Sequence, residues 1–310
     1  DAARHGETVV GRDAVSVSAF DRAMQRVAFA KIDREAEVAT TAGTAETAQE
    51  MDALMREIVV KVERGELADP DQVSRLKLDG RGKRRLRTVL RRTLKEAFGQ
   101  GTKHAGSEVD KAKGEAFTVH RMDKERVRFV GEDYLDAKSF EMAGNLSEAA
   151  LSVVKGVILS GLKNDKPFPQ VRQEIYRALA RDGFISAATA EAELGALLDD
   201  AANPSARLDT VVRTSSFEAI NEGRWATFTD PGLEGFVQAF DYSAILDRRT
   251  TQICRELDGK TYAQDSEVWT TQGYRPPNHH NCRSLLVAVT ERDTWAEDDP
   301  PGLEPQSGFS

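Results

Sequence analysis

The chain changes character at Pro231-Gly232. Before that point apolar residues recur at helical spacing; after it, glycine, proline and β-branched residues replace the helical period. Runs of helix followed by a short β-rich stretch imply an α+β fold, with helices packed on a small C-terminal sheet. Phe20–Ala39 carries Phe20, Met24, Val27, Ala28 and Ile32 at i, i+3/i+4 spacing, and Glu46–Glu63 repeats this with Leu54, Ile58, Val59 and Val62. The Thr/Ala/Gly stretch Thr40–Thr47 between them reads as a loop. Lys83–Phe98 is an amphipathic helix closed by the glycines of Gly99–Gly106, and residues 100–125 read as a joint. Asn145 with Glu148 three residues on reads as a cap for a helix to Leu162. Val171–Ala180, Ser186–Leu198 and Ala206–Phe228 follow as helices. Strands are expected over Phe236–Tyr242, Gly259–Ala263 and Ser284–Val289. Phe236, Gln238, Phe240 and Tyr242 would share one face of the first. The organisation expected is 1–128 mostly helical, 129–292 helices plus sheet, and 293–310 an acidic, Pro-rich, poorly ordered tail.

Charge and composition narrow the function. The net charge is −8, yet residues 61–130 hold 19 Lys+Arg against 11 Asp+Glu. Arg84, Arg85, Arg87, Arg91, Arg92 and Lys95 cluster on the helix near 83–98. They are candidates to contact double-stranded DNA or an acidic protein surface, with a solvated helix face as the plain alternative. No apolar run reads as long enough to span a bilayer, so no membrane partner is expected. Two cysteines exclude a disulfide scaffold. Nucleotide-binding glycine signatures and HExxH are absent.

The residues able to do chemistry crowd between Asp247 and Arg283. Cys254, Cys282 and either His279 or His280 are suited to zinc, and Asp247 or the other His would have to complete a set of four. Three other readings stand beside structural zinc: a disulfide, two thiols packed as small hydrophobes, and a Cys254–His279 nucleophile and base oriented by Asp247 or Asp258.

Four elements in order resemble the phage Mu F-like minor head proteins, also called head morphogenesis proteins. These are Val212-Arg213-Thr214 with Ala219-Ile220-Asn221-Glu222-Gly223-Arg224; Asp247-Arg248-Arg249-Thr250 leading to Cys254; Leu257-Asp258-Gly259-Lys260; and Pro276 to Ser284, reading Pro-Pro-Asn-His-His-Asn-Cys-Arg-Ser. The resemblance covers roughly Phe129–Thr290. It implies a structural protein of the virion, at the head interior or portal vertex after assembly in the host bacterial cytoplasm. Portal and capsid proteins would be its partners, in head assembly and DNA packaging or delivery. Many relatives carry Cys-x-x-Cys at the first site, where this chain has Thr251 in the first position. Mu F-like domains also occur fused to toxin modules, so the alternative is an enzyme, a nuclease or toxin-like transferase, using the Cys/His cluster. No toxin module is visible after residue 293. The motif residues also suggest a network that knits helix to sheet: Arg213, Thr214, Asp247, Thr250, Asp258, Gly259 and Arg283. The preferred reading is that the site holds the fold together.

Overall fold

A computed structural model of the protein describes residues 19–113, 123–197 and 203–309, with side chains from residue 29 onward. The apolar positions expected at Phe20, Met24, Val27 and Ala28 therefore fall where only the backbone is described. The elements in order are α1 (Ala19–Glu63), α2 (Pro70–Ser74), α3 (Gly80–Lys113), α4 (Lys124–Lys163), α5 (Phe168–Arg181), α6 (Ala187–Leu194), α7 (Ala206–Phe228), β1 (Val237–Ser243), α8 (Gln252–Leu257), β2 (Thr261–Ala263), α9 (Glu267–Thr270) and β3 (Leu285–Thr290). The fold is α+β. The three strands form one antiparallel sheet in the order β2-β1-β3, with Phe240 opposite Tyr262 on one side and Ala288 on the other.

α7 has the bounds that its sequence predicts. Three expected breaks, in contrast, are helix. Thr40–Thr47 lies inside α1 because Thr40, Thr44 and Thr47 are buried against the bundle, and Thr40 Oγ1 returns a 2.6 Å hydrogen bond to Ala36 O. Small side chains there serve packing, not a turn. Asn145 sits mid-helix because Leu146, Ser147 and Ala150 are buried, while the N-cap of α4 is Asp123, whose carboxylate accepts from the Glu125 and Arg126 amides. Gly99–Gly106 continues α3 to Lys113, and the rest of the expected joint, 114–122, lies outside the described residues.

The glycines in α3 have a different physical role. A Cβ on Gly101 would lie 2.1 Å from Ile220 O of α7, and one on Gly223 would lie 2.3 Å from Phe98 O of α3. The two helices therefore touch backbone to backbone, which only glycine allows at these two positions.

α3 and α7 run through both apolar cores. The first core gathers α1 to α7 and reaches Leu285 and Val287 of β3. The second holds Ala105 and Val109 of α3 and Phe228 of α7, with Phe236, Phe240, Tyr242, Trp269 and both cysteines. Residues on both sides of position 128 thus share one core. Asp52 of α1 adds a polar tie, accepting from the Ser186 amide and the Ser186 and Thr189 hydroxyls at the start of α6.

β1 carries a register shift between Val237 and Ala239, so Gln238 faces solvent while Phe236, Phe240 and Tyr242 are buried. The tail, expected to be poorly ordered, is docked. Asp298 N donates to Thr261 O at 3.0 Å, Thr261 N donates to Asp298 Oδ2 at 2.8 Å, and Gln306 N donates to Asn278 O at 2.9 Å. The tail satisfies groups of β2 that an edge strand leaves unpaired, and its acidic side chains supply acceptors. Contrary to the expectation from the sequence, one described helix, α4, is long and apolar enough by composition to cross a membrane. Its apolar residues Leu135, Met142, Leu146, Leu151, Val154 and Ile158 form the face buried in the first core, while Phe129, Phe140 and Leu159 of the same helix are exposed.

Candidate functional site: a buried Cys-His-Cys cluster beside an ion-pair network

Cys254 lies on α8, and His279 and Cys282 lie on the loop before β3. That loop returns on itself: Cys282 N donates to His279 O at 3.2 Å, and Asn281 adopts φ +58° to close the turn. Asn is among the few residues that tolerate that conformation. Cys254 Sγ consequently sits 3.2 Å from His279 Nε2 and 3.8 Å from Cys282 Sγ. All three ligand atoms lie within 4.8 Å of one another. The Tyr242 hydroxyl is 3.2 Å from Cys254 Sγ and accepts from Asn278 Nδ2 at 2.8 Å. His279 Nδ1 is 2.7 Å from His280 O, so Nδ1 carries the proton and Nε2 is turned toward the sulfurs.

The two thiols are electrostatically unequal. The hydrogen bond from Cys282, helped by His279 and against the cost of burial, pulls the Cys254 thiol down. The same contact and burial push Cys282 up. Burial works against a charged His279, but the Cys254 contact outweighs it and raises the imidazole. Of the two thiols, Cys254 is the one the cluster favours as thiolate, and it faces His279. Both cysteines are only 1% exposed and His279 is 9% exposed. A nucleophile would need access that these side chains lack in this arrangement; a ligand set or a structural knot does not need it.

Neither residue expected to complete a set of four joins these three. Asp247 Oδ1 and Oδ2 both accept from Arg283 Nη2 at 2.7 Å, and that guanidinium holds the Asp247 carboxyl below the usual range. The His280 ring packs edge-on against Phe309, with centroids 5.0 Å apart.

Most of the expected knitting network is present, with one member elsewhere. Arg283 also reaches Asp33 of α1 at 3.5 Å, so it ties the sheet module to the first helix. Thr250 Oγ1 accepts from Asp247 N and donates to Ile245 O. Asp258 Oδ1 accepts from Ala244 N at 2.8 Å, and Gly259, at φ +81°, donates to Tyr242 O. Thr214 Oγ1 accepts from Asn281 N at 2.9 Å. Arg213 does not meet Asp247. It pairs with Glu37 of α1 and with Asp209 one turn back, because its side of α7 faces the first helix.

Two residues with the largest structural role carry no expected function. Arg224 is fully buried; its Nε and Nη2 donate to Leu286 O of β3, and Nη2 donates to both Glu108 oxygens of α3 at 2.7 and 2.8 Å. Asn221 Nδ2 donates to Ser284 O at 3.0 Å. The signal was available: Phe217, Asn221, Arg224 and Phe228 form one stripe along α7, so the polar pair had to be buried with the aromatics.

The basic helix is charge-paired within the chain. Arg85 meets Glu50 and Glu57, Arg87 meets Asp136, Arg91 meets Glu132 and Asp136, Arg92 meets Glu46, and Lys95 meets Glu132. Arg84 is exposed.

The family model described as Phage Mu protein F like protein matches residues 160–287. This segment belongs to the Mu F-like family. The match opens in the last turn of α4, runs through α5 to α8 and the first two strands, and ends inside β3, so it contains the whole Cys-His-Cys cluster, Asp247, Arg283 and Arg224. No curated protein and no solved structure matches the chain. The Mu F-like family is a phage head family, and the match over this segment points to a phage head-related protein. α1, α3 and most of α4 lie outside the Mu F-like match, yet Glu108 of α3 and Asp33 of α1 hold two of its buried arginines.

Proposed function

We propose that the protein is a structural minor head protein of a tailed phage or prophage. It acts in head assembly, and in DNA packaging or delivery, through contacts with portal or inner-capsid proteins. Its place is the virion, at the head interior or portal vertex, reached from the host bacterial cytoplasm. The observation that carries this reading is the Mu F-like match over residues 160–287. The chemistry of the segment supports it: the reactive side chains are enclosed and turned on one another, as in a part that holds shape.

An enzyme built on Cys254 and His279 would need an opened form that exposes the sulfur. Contact with double-stranded DNA through the basic helix would require breaking the pairs that Arg85, Arg87, Arg91, Arg92 and Lys95 make with α1 and α4. Protein contact is the better-supported role. Purified particles, analysed by quantitative mass spectrometry, should contain the protein at a few copies each. Its absence from particles would overturn the proposal.

A further inference from the structure

We propose that Cys254, His279 and Cys282 bind one zinc ion, and that this ion clips α8 to the loop before β3. The proposal does not rest on the head-assembly role.

The spacing is that of a coordination polyhedron. With Zn–S near 2.3 Å and Zn–N near 2.0–2.1 Å, tetrahedral geometry puts two sulfurs about 3.8 Å apart and sulfur and nitrogen about 3.5 Å apart. The observed separations are 3.8 Å and 3.2 Å. A disulfide would need the sulfurs at roughly 2.05 Å, far inside their present separation. The imidazole is also set as a ligand. Its Nδ1 is held by His280 O at 2.7 Å, so the Nε2 lone pair points at the sulfurs, the orientation given by a carbonyl behind a metal-bound histidine. Simple packing of two thiols would call for none of this.

The fourth position falls to oxygen. Among the described residues no further Cys, His, Asp or Glu joins the cluster. Thr251 precedes Cys254 by three residues at the start of α8, which is the Cys-x-x-Cys spacing of zinc sites. Its Oγ1 is buried and has no hydrogen-bond partner. The Tyr242 hydroxyl lies 3.2 Å from Cys254 Sγ. The site is thus a three-ligand zinc site that leaves its fourth position to an oxygen donor. It closes a loop of 28 residues in a module whose sheet has three strands. A metal that binds only the folded form stabilises such a module directly.

The experiment uses the full-length reduced protein and two probes, Zn2+ for stoichiometry and Co2+ for the absorption of thiolate-bound metal. The expected result is one zinc per chain, a thiolate–cobalt band, and protection of both thiols from alkylation by the metal. Cys254→Ser should abolish the band. Thr251→Cys adds a ligand instead of removing one and should raise zinc affinity roughly tenfold or more, with a stronger cobalt band. Wild-type protein that is folded by circular dichroism yet binds neither ion would overturn the proposal. So would a mass two hydrogens lower, with no metal, in protein purified without reductant, which would make the cluster a disulfide, or a Thr251→Cys variant that folds and gains no affinity.

Discussion

The helical region and the sheet module are held together by different forces, and α3 shows both along its length. Its first half presents Leu86, Leu90 and Leu94 to the bundle and sends Arg85, Arg87, Arg91 and Lys95 to carboxylates at the surface. Its second half gives Glu108 to a fully buried arginine. The bundle rests on apolar area, with charges as trim. The sheet module is small and is fastened to α3 and α7 by the second apolar core and, in addition, by buried polar groups bonded to backbone carbonyls. Exposed pairs gain little, since water already solvates both partners, whereas a buried arginine that loses its role leaves acceptors stranded.

Four substitutions sharpen this contrast. Arg224→Ala should cost the most, about 3 kcal/mol in urea unfolding, because Leu286 O and Glu108 lose their donor; Glu108 keeps partial access to water, which holds the cost at the low end of the range for buried pairs. A cost below about 1 kcal/mol would erase the distinction between the two regions. Gly101→Ala should cost about 1–3 kcal/mol, because its Cβ would meet the α7 backbone and force the helices apart. Gly99→Ala, two residues away with nothing near its Cβ, should have the opposite sign and stabilise by about 0.5–1 kcal/mol. Equal effects at the two glycines, read as thermal midpoints, would show that close helix approach is not what glycine provides here. Glu132→Gln should have the smallest effect, below about 1 kcal/mol, and shrinking further with added salt.

Apolar periodicity made the bundle legible, and the α7 bounds follow from it. The misreadings have a shared cause. Thr40–Thr47, Asn145 and Gly99–Gly106 carry local signals for loops, caps and stops, and tertiary burial overrides each one. Convergence of Cys254, His279 and Cys282 was legible from the turns between them, because chain reversal leaves few other arrangements. Pairing of charges was not: Arg283 meets Asp247 as expected, but Arg213 faces α1, and only the packing angle of α7 decides that. Arg224 stood in the motif of the resemblance without a role of its own, because arginine is ordinarily solvent-facing. The docked tail escaped notice because an acidic, Pro-rich composition says nothing of an edge strand waiting to be paired.

The central claim is that the helices before residue 160 and the Mu F-like segment form one folding unit on the shared α3 and α7. The three tryptophans, Trp225, Trp269 and Trp295, all belong to the second half, whereas most helix lies before it. Urea unfolding of the full chain, followed at once by tryptophan fluorescence and far-ultraviolet circular dichroism, separates the two regions without cutting the chain. The account predicts coincident transitions with a single midpoint. Loss of the tryptophan signal at a lower urea concentration than the helical signal would contradict it and make the sheet module a unit of its own.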